Sequence, residues 1–225
     1  MTLRVREKMM VMEKLKVNPV KVHGRYVYHA LKRLFDIIAS AVGLILLSPL
    51  FLFLIIKIKY EDGGPAFYSQ ERIGKDEKPF KIWKFRSMVV NADQMIDQLE
   101  DQNEIDGAMF KIKDDPRITK IGHTIRKYSL DELPQLWNVL IGDMSLVGPR
   151  PPLPSEVEEY TDYDKQRLLV MPGCTGLWQV TKRNEADFDE MVLLDIMYIN
   201  HSGILEDLKL IIKTIGVVIH PNGAY

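Results

Sequence analysis

Cysteine is nearly absent: Cys174 is the single one in 225 residues, so no disulfide can form within the chain. That fits a reducing compartment. Its thiol stands in Met171-Pro172-Gly173-Cys174-Thr175-Gly176, where a small buried side chain is the expectation. An excess of charge is also missing. The chain has 30 Lys and Arg against 31 Asp and Glu, a net −1. Nucleic-acid binders carry a strong basic excess, so no nucleic-acid partner is expected. Histidine is sparse: His23, His29, His123, His201 and His220 form no pair with metal-ligand spacing, and no zinc site is assigned. Repeats and low-complexity segments are missing too. What remains is an ordinary globular composition, 46% apolar, long enough for one large domain or two small ones.

That average hides one apolar run. From Leu34 to Ile56 the only charge is Asp36. About 20 apolar residues suffice to span a bilayer. The run starts too far from Met1, and lacks a small-residue cleavage site, to be a signal peptide. Two features argue against a straight span. Pro49 removes a backbone donor and should kink the helix, while the Ser48 hydroxyl can satisfy a freed carbonyl. Lys32 and Arg33 precede the run and Lys57 and Lys59 follow it. Positive flanks prefer the cytosolic side, and a helix that bends at Ser48-Pro49 and returns keeps both flanks there. A re-entrant hairpin is therefore expected over 32–59, after an N-terminal extension (1–31) and before a catalytic domain (60–225). A straight span and a buried soluble helix are the alternatives. One apolar segment cannot line a transport path. In the extension, Arg4, Arg6, Lys8, Lys14, Lys16 and Lys21 interleave with Val5, Met9, Met10, Val11, Met12 and Leu15. A basic amphipathic helix on anionic headgroups and a frayed tail both fit this pattern.

Beyond the turn Glu61-Asp62-Gly63-Gly64-Pro65, Ala66 to Ser69 and Phe80 to Arg86 predict a small β hairpin with Lys84 and Arg86 on one face. Asn91 to Asp106 predicts an exposed helix and loop, and Asp114-Asp115-Pro116 a break. Leu133, Leu136, Trp137, Leu140 and Ile141 follow helical spacing over Pro134 to Ile141, with Gly142 as the stop. Phe188 to Ile199 predicts another helix. Leu205 to Ile219 predicts a third, striped with Leu205, Leu208, Ile211, Ile212, Ile215, Val218 and Ile219 and ended by Pro221-Asn222-Gly223.

Three clusters could carry chemistry. Arg126-Lys127-Tyr128-Ser129-Leu130-Asp131-Glu132-Leu133-Pro134 brings adjacent carboxylates and two cations to a helix start. Such a start offers free N–H groups and partial positive charge. The plain alternative is a capping box from Ser129 to Glu132, with Asp131 as a competing N-cap that better suits Pro134. Gly142-Asp143-Met144-Ser145-Leu146-Val147-Gly148-Pro149-Arg150-Pro151-Pro152 fixes one guanidinium in a rigid turn, a natural phosphate clamp. Pro172-Gly173-Cys174-Thr175-Gly176-Leu177-Trp178-Gln179-Val180 offers an aromatic and an amide to a base or sugar.

In this order, the clusters resemble the bacterial sugar transferases, the monotopic phosphoglycosyl transferases that load polyprenyl phosphate with hexose-1-phosphate. The resemblance covers roughly Lys32 to Val218. It rests on Lys32-Arg33-Leu34-Phe35-Asp36, Ser48-Pro49, Gln70-Glu71-Arg72-Ile73-Gly74, Phe80 to Met88, Ser129 to Leu136, Gly142 to Pro151 and Pro172 to Gly176. Larger members of that family carry spanning helices and a further domain ahead of this core, so the chain resembles a short form. The expected fold is mainly α with the small β hairpin. The re-entrant hairpin and amphipathic, membrane-surface helices would hold the catalytic body on the cytosolic face of the bacterial inner membrane.

The resemblance implies catalytic Asp131 as nucleophile toward a UDP-sugar. Glu132 would help hold Mg²⁺, and Lys84 and Arg126 would neutralise phosphate. Arg86 and Arg150 are added here as further phosphate cations, and Trp178 and Gln179 as a uridine or sugar side. The lipid partner implied is polyprenyl phosphate, with undecaprenyl phosphate expected. A homodimer and contacts with downstream glycosyltransferases are compatible with this. A non-catalytic membrane adaptor of a glycan-assembly complex and a one-step transferase are the rivals.

Overall fold

The computed structural model describes residues 15–95, 115–182 and 186–219. Helix α1 (Pro19–His23) starts at Asn18, whose side chain accepts the Lys21 N–H, and stops at Gly24. Helix α2 (Tyr26–Leu46) and helix α3 (Ser48–Asp62) meet at Leu47 and are bent by 59°. Pro49 lies in the first turn of α3, where its missing N–H costs least. The Ser48 hydroxyl donates to the Ile45 carbonyl at 2.8 Å, the role expected of it. Gly63, at φ +74°, ends α3 with a left-handed turn that glycine adopts freely. Both helices overrun the apolar run.

The long helix is inside out by soluble standards. Asp36 and Ser40 are buried, at 3% and 0% exposure, while Ile45 and Leu46 are each 72% exposed. Asp36 accepts the Leu146 N–H at 3.0 Å, and Ser40 donates to the Asp36 carbonyl at 2.6 Å. A water-facing helix turns its apolar stripe inward instead. Lys32 and Arg33 also do more than mark a flank. Lys32 pairs with Asp207 at 2.9 Å, and Arg33 donates to the Val139 and Leu140 carbonyls. Among the described residues no single helix is long and apolar enough to cross a membrane, but α2 and α3 together pass that test.

Strands β1 (Phe67–Ile73) and β2 (Pro79–Phe85) form the expected antiparallel hairpin, paired from Phe67↔Phe85 to Ile73↔Pro79. Its turn carries positive φ at both Asp76 and Glu77 (56° and 59°), the signature of a primed turn that follows strand twist. Ala66 and Phe85 pack with Leu54, Ile58 and Ile125, which seats the hairpin on α3. Helix α4 (Lys120–Lys127) is capped twice. The Thr119 hydroxyl takes the Gly122 N–H, and the Glu61 carboxylate takes those of Lys120 and Ile121. The last turn of α3 therefore grips the helix that leads to the candidate site.

Helix α5 (Gln135–Ile141) ends at Gly142 as expected, and its apolar stripe turns partly outward. Trp137 and Ile141 are 50% and 51% exposed, while Gln135 and Asn138 are buried. Asn138 accepts the Trp83 N–H and donates to the Lys81 carbonyl, stitching α5 to β2. Spacing defines a stripe but not the side that turns inward.

Strand β3 (Ser145–Val147), helix α6 (Pro154–Glu158), strand β4 (Gly173–Thr175), helix α7 (Leu177–Thr181), helix α8 (Phe188–His201) and helix α9 (Ile204–Ile219) complete the order. A parallel pairing of β3 with β4 adds to the hairpin in a mainly helical molecule. Val147, Val192, Ile196, Ile199 and Leu210 form the main core, and Val17 and Val22 of the N-terminal extension join it. The exposed stripe of α9 includes Leu205, Ile212, Ile215 and Ile219. The basic segment before residue 15, the continuation of Asn91–Asp106 beyond residue 95, and the Pro221-Asn222-Gly223 stop lie outside the described residues.

Candidate active site

The Asp131-Glu132 pair sits on a single 3-10 turn, Leu130–Glu132, between α4 and α5. Neither expected N-cap operates. Ser129 stands in the left-handed region at φ 53° with no side-chain cap bond, and α5 begins after Pro134. Leu130 and Leu133 pack into the Leu54–Phe85–Ile125 cluster and anchor the turn on either side of the carboxylates. A non-glycine residue in this conformation carries strain of roughly 1–3 kcal/mol, held by its surroundings. Ser129→Gly should therefore leave the melting temperature unchanged or raise it. Ser129→Val, β-branched and poorly suited to positive φ, should lower it by several degrees in a thermal denaturation.

β2 delivers Lys84 to this turn, and its Nζ lies 2.7 Å from Glu132 Oε1. The pair is partly open, with Lys84 28% and Glu132 40% exposed. Burial pushes Asp131 up to about 6, against the opposing charges of Lys84 and Arg126, with Glu132 adding to the rise. Burial would raise Glu132 as well, but Lys84, Arg150 and Arg72 together hold it below the ordinary carboxylate range. The two neighbours are thus split: one carboxyl is costly to ionise and the other is held ionised. Arg126, in the last turn of α4, acts on Asp131 through its charge.

Arg150 follows β3 and points its Nη1 toward Glu156 Oε1 at 3.6 Å, staying one-third exposed. Arg86 is not part of this group. Asp62 holds its guanidinium in a two-bond fork at 2.5 Å, and the Pro65 and Met88 carbonyls take further N–H groups. It ties the end of α3 to the hairpin. Trp178 and Gln179 lie on α7, which packs on α8 and α9; Trp178 Nε1 and Gln179 Oε1 are buried without a partner. Cys174 packs beside Ile82, Val139 and Met144, and burial pushes its thiol far up, which makes it inert. Sequence reasoning missed Arg72, buried on β1 and close enough to Glu132 to affect it. Its signal was present in Gln70-Glu71-Arg72-Ile73-Gly74, a cation at an inward strand position.

Among the described residues no group of three or more His, Cys, Asp or Glu converges to hold a metal ion. An ionised, partly exposed Glu132 fits Mg²⁺ as a shared ligand, since that ion is commonly held by one or two carboxylates plus substrate phosphates.

Adjacent carboxylates, split in charge and surrounded by Lys84, Arg126 and Arg150, form a site suited to phosphorylated, anionic substrates. The chain matches the family model "Bacterial sugar transferase" over residues 27–221 and belongs to that family. It is 49% identical over 201 residues to "Galactosyl transferase CpsE" of Streptococcus agalactiae, covering 89% of this chain and 44% of the relative. It is 48% identical over 199 residues to "Undecaprenyl-phosphate galactose phosphotransferase" of Salmonella typhimurium, covering 87% and 42%. With "Exopolysaccharide production protein ExoY" of Rhizobium meliloti the identity is 41% over 198 residues, covering 86% and 88%. The chain thus spans less than half the length of the first two relatives.

Proposed function

We propose that this chain transfers a sugar-1-phosphate from a UDP-sugar to a polyprenyl phosphate, undecaprenyl phosphate in the first instance. This would begin assembly of an exopolysaccharide, capsule, O-antigen or glycoprotein glycan. The observation that carries the reading is the Asp131-Glu132 turn, with Lys84 bound to Glu132 and Asp131 pushed up to about 6. An Asp131 oxygen attacks the β-phosphorus, the bond to the α-phosphate oxygen breaks, and UMP leaves. A sugar-phospho-aspartyl enzyme remains. An oxygen of the lipid phosphate then attacks the same phosphorus, the bond to Asp131 breaks, and Asp131 returns as a carboxylate. Splitting the displacement in two lets each soluble and lipid substrate react in turn. A carboxyl with a raised pKa is a stronger nucleophile and is still ionised above pH 6.

Lys84, Arg126 and Arg150 neutralise phosphoryl oxygens; Glu132 would help hold Mg²⁺, which would supply further charge neutralisation at the diphosphate. The unused donor of Trp178 and acceptor of Gln179 are assigned to the uridine or sugar side. Seating follows from α2. Exposed Leu34, Ile38, Val42 and Ile45 opposite buried Asp36 and Ser40 suit a hairpin that dips into one leaflet from the cytosolic side. The exposed apolar faces of α5 and α9 would rest on its surface.

The test is a UMP-release assay with UDP-galactose first, as the relatives' names suggest, then UDP-glucose and the N-acetylated hexoses. With radiolabelled sugar and no lipid, the two-step route retains label on the protein. Release of UMP only when lipid is present, with no labelled protein, would establish the one-step route. No release from any UDP-sugar would favour the adaptor.

A further inference from the structure

Arg150 sits in a loop with little of its own to hold it. Pro149, Pro151 and Pro152 have no backbone N–H, so the loop can be anchored there only through its carbonyls. Three donors from outside take them. The Gly173 N–H reaches the Pro149 carbonyl at 2.8 Å, the Ile73 N–H reaches that of Pro152 at 2.9 Å, and Arg72 Nη1 reaches that of Pro151 at 3.2 Å. Arg72 is the one side chain among these three, and its acceptor, Pro151, directly follows Arg150 in sequence.

Arg72 is an expensive choice for a strut. It is 8% exposed, Nη2 donates to Gln70 Oε1 at 2.8 Å, and Nε is buried without a partner. Among the described residues no carboxylate bonds to it; Glu156 and Glu132 act on it from a distance, and Arg150 repels it. A buried cation without a direct counter-ion costs stability, and a neutral donor would hold a carbonyl more cheaply. A guanidinium offers what a neutral donor cannot: a rigid fork that braces Gln70 and Pro151 together while placing charge beside Arg150 and Glu132.

We propose that Arg72 is a positioning residue, holding the Pro151 carbonyl so that Arg150 faces the Glu132 side of the site and meets the nucleotide diphosphate there. This rests on the transferase reading above. Arg72 acts through Arg150 and need not touch substrate itself.

The test is a double-mutant cycle on the full chain, read as kcat/KM for the UDP-sugar in the UMP assay. Arg72→Met and Arg150→Met should each lower it on the order of 10²-fold, the scale of a misplaced binding group. The double variant should lie within about threefold of the worse single, because one contact is lost either way. Arg72→Lys keeps the charge but not the fork, and should recover only part of the loss. Gln70→Met is the milder probe should Arg72→Met not fold; its roughly tenfold loss should vanish in the Arg150→Met background. Multiplying losses in either cycle, or full recovery by Arg72→Lys, overturns the inference while wild-type activity leaves the transferase reading standing. A wild type that releases no UMP overturns both.

Discussion

Asp131→Asn should cut UMP release by 10³-fold or more and abolish sugar-phosphate labelling of the protein, on the scale of losing a covalent nucleophile. The exchange barely changes shape. It removes the charged oxygen that forms the bond to phosphorus. It should also leave the protein as stable as the wild type or more so at pH 8. The reason lies in the direction of the Asp131 shift, from 3.8 up to about 6. The fold prefers the protonated form, so Asp131 weakens stability progressively as pH rises from about 4 to about 6. Above that range the ionised carboxylate is a standing cost, and the neutral amide of Asn does not carry it. Collapse of activity together with an equal or higher melting point at pH 8 is thus the paired signature. Below about pH 4 the two melting points should converge. Full turnover by a folded Asp131→Asn protein would remove the covalent route.

Much of this arrangement was legible because it depends on residues whose chemistry is local. Pro49 within the apolar run removes a backbone donor and predicts a kink, and the structure bends there by 59°. Gly142 ends α5 as its sequence position suggested. The β hairpin followed from short, aromatic-rich runs. What escaped were features set by which face turns inward. Trp137 and Ile141 obey helical spacing but point outward, while Asn138 turns inward to bond the Trp83 N–H and the Lys81 carbonyl of β2. Arg86 was grouped with Lys84 by strand alternation, yet it lies just past Phe85, where Asp62 captures it. No local pattern pairs residues 24 positions apart. Arg72 was overlooked for the same reason: its partner is a carbonyl 79 residues away. Lys32 and Arg33 looked like flanking charges, and their bonds to Asp207 and to the end of α5 needed the tertiary fold.

The charges around Asp131 predict acid limbs that move in opposite directions. Wild-type UMP release should fall as pH drops through about 6, where Asp131 takes a proton. Lys84 lowers the Asp131 pKa, and it does so more strongly than Arg126. Lys84→Met should therefore move the limb to higher pH, and Arg126→Met should move it the same way by less. Glu132 raises the Asp131 pKa, so Glu132→Gln should move the limb to lower pH. It would also free Lys84 from its 2.7 Å bond, which adds to the downward shift. All three variants should lose rate on the order of 10²-fold, since Lys84→Met and Arg126→Met remove positive charge that the transferring phosphoryl group needs and Glu132→Gln removes the carboxylate that would hold Mg²⁺. Rate loss alone would be shared by any damaged site. The sign of the limb shift is not shared, because damage by unfolding cannot raise it in one variant and lower it in its bonded partner. A pH profile of residual UMP release in the three proteins reads it directly. Limbs that stay together, or shift the same way for Lys84→Met and Glu132→Gln, would mean that the titrating group is not Asp131.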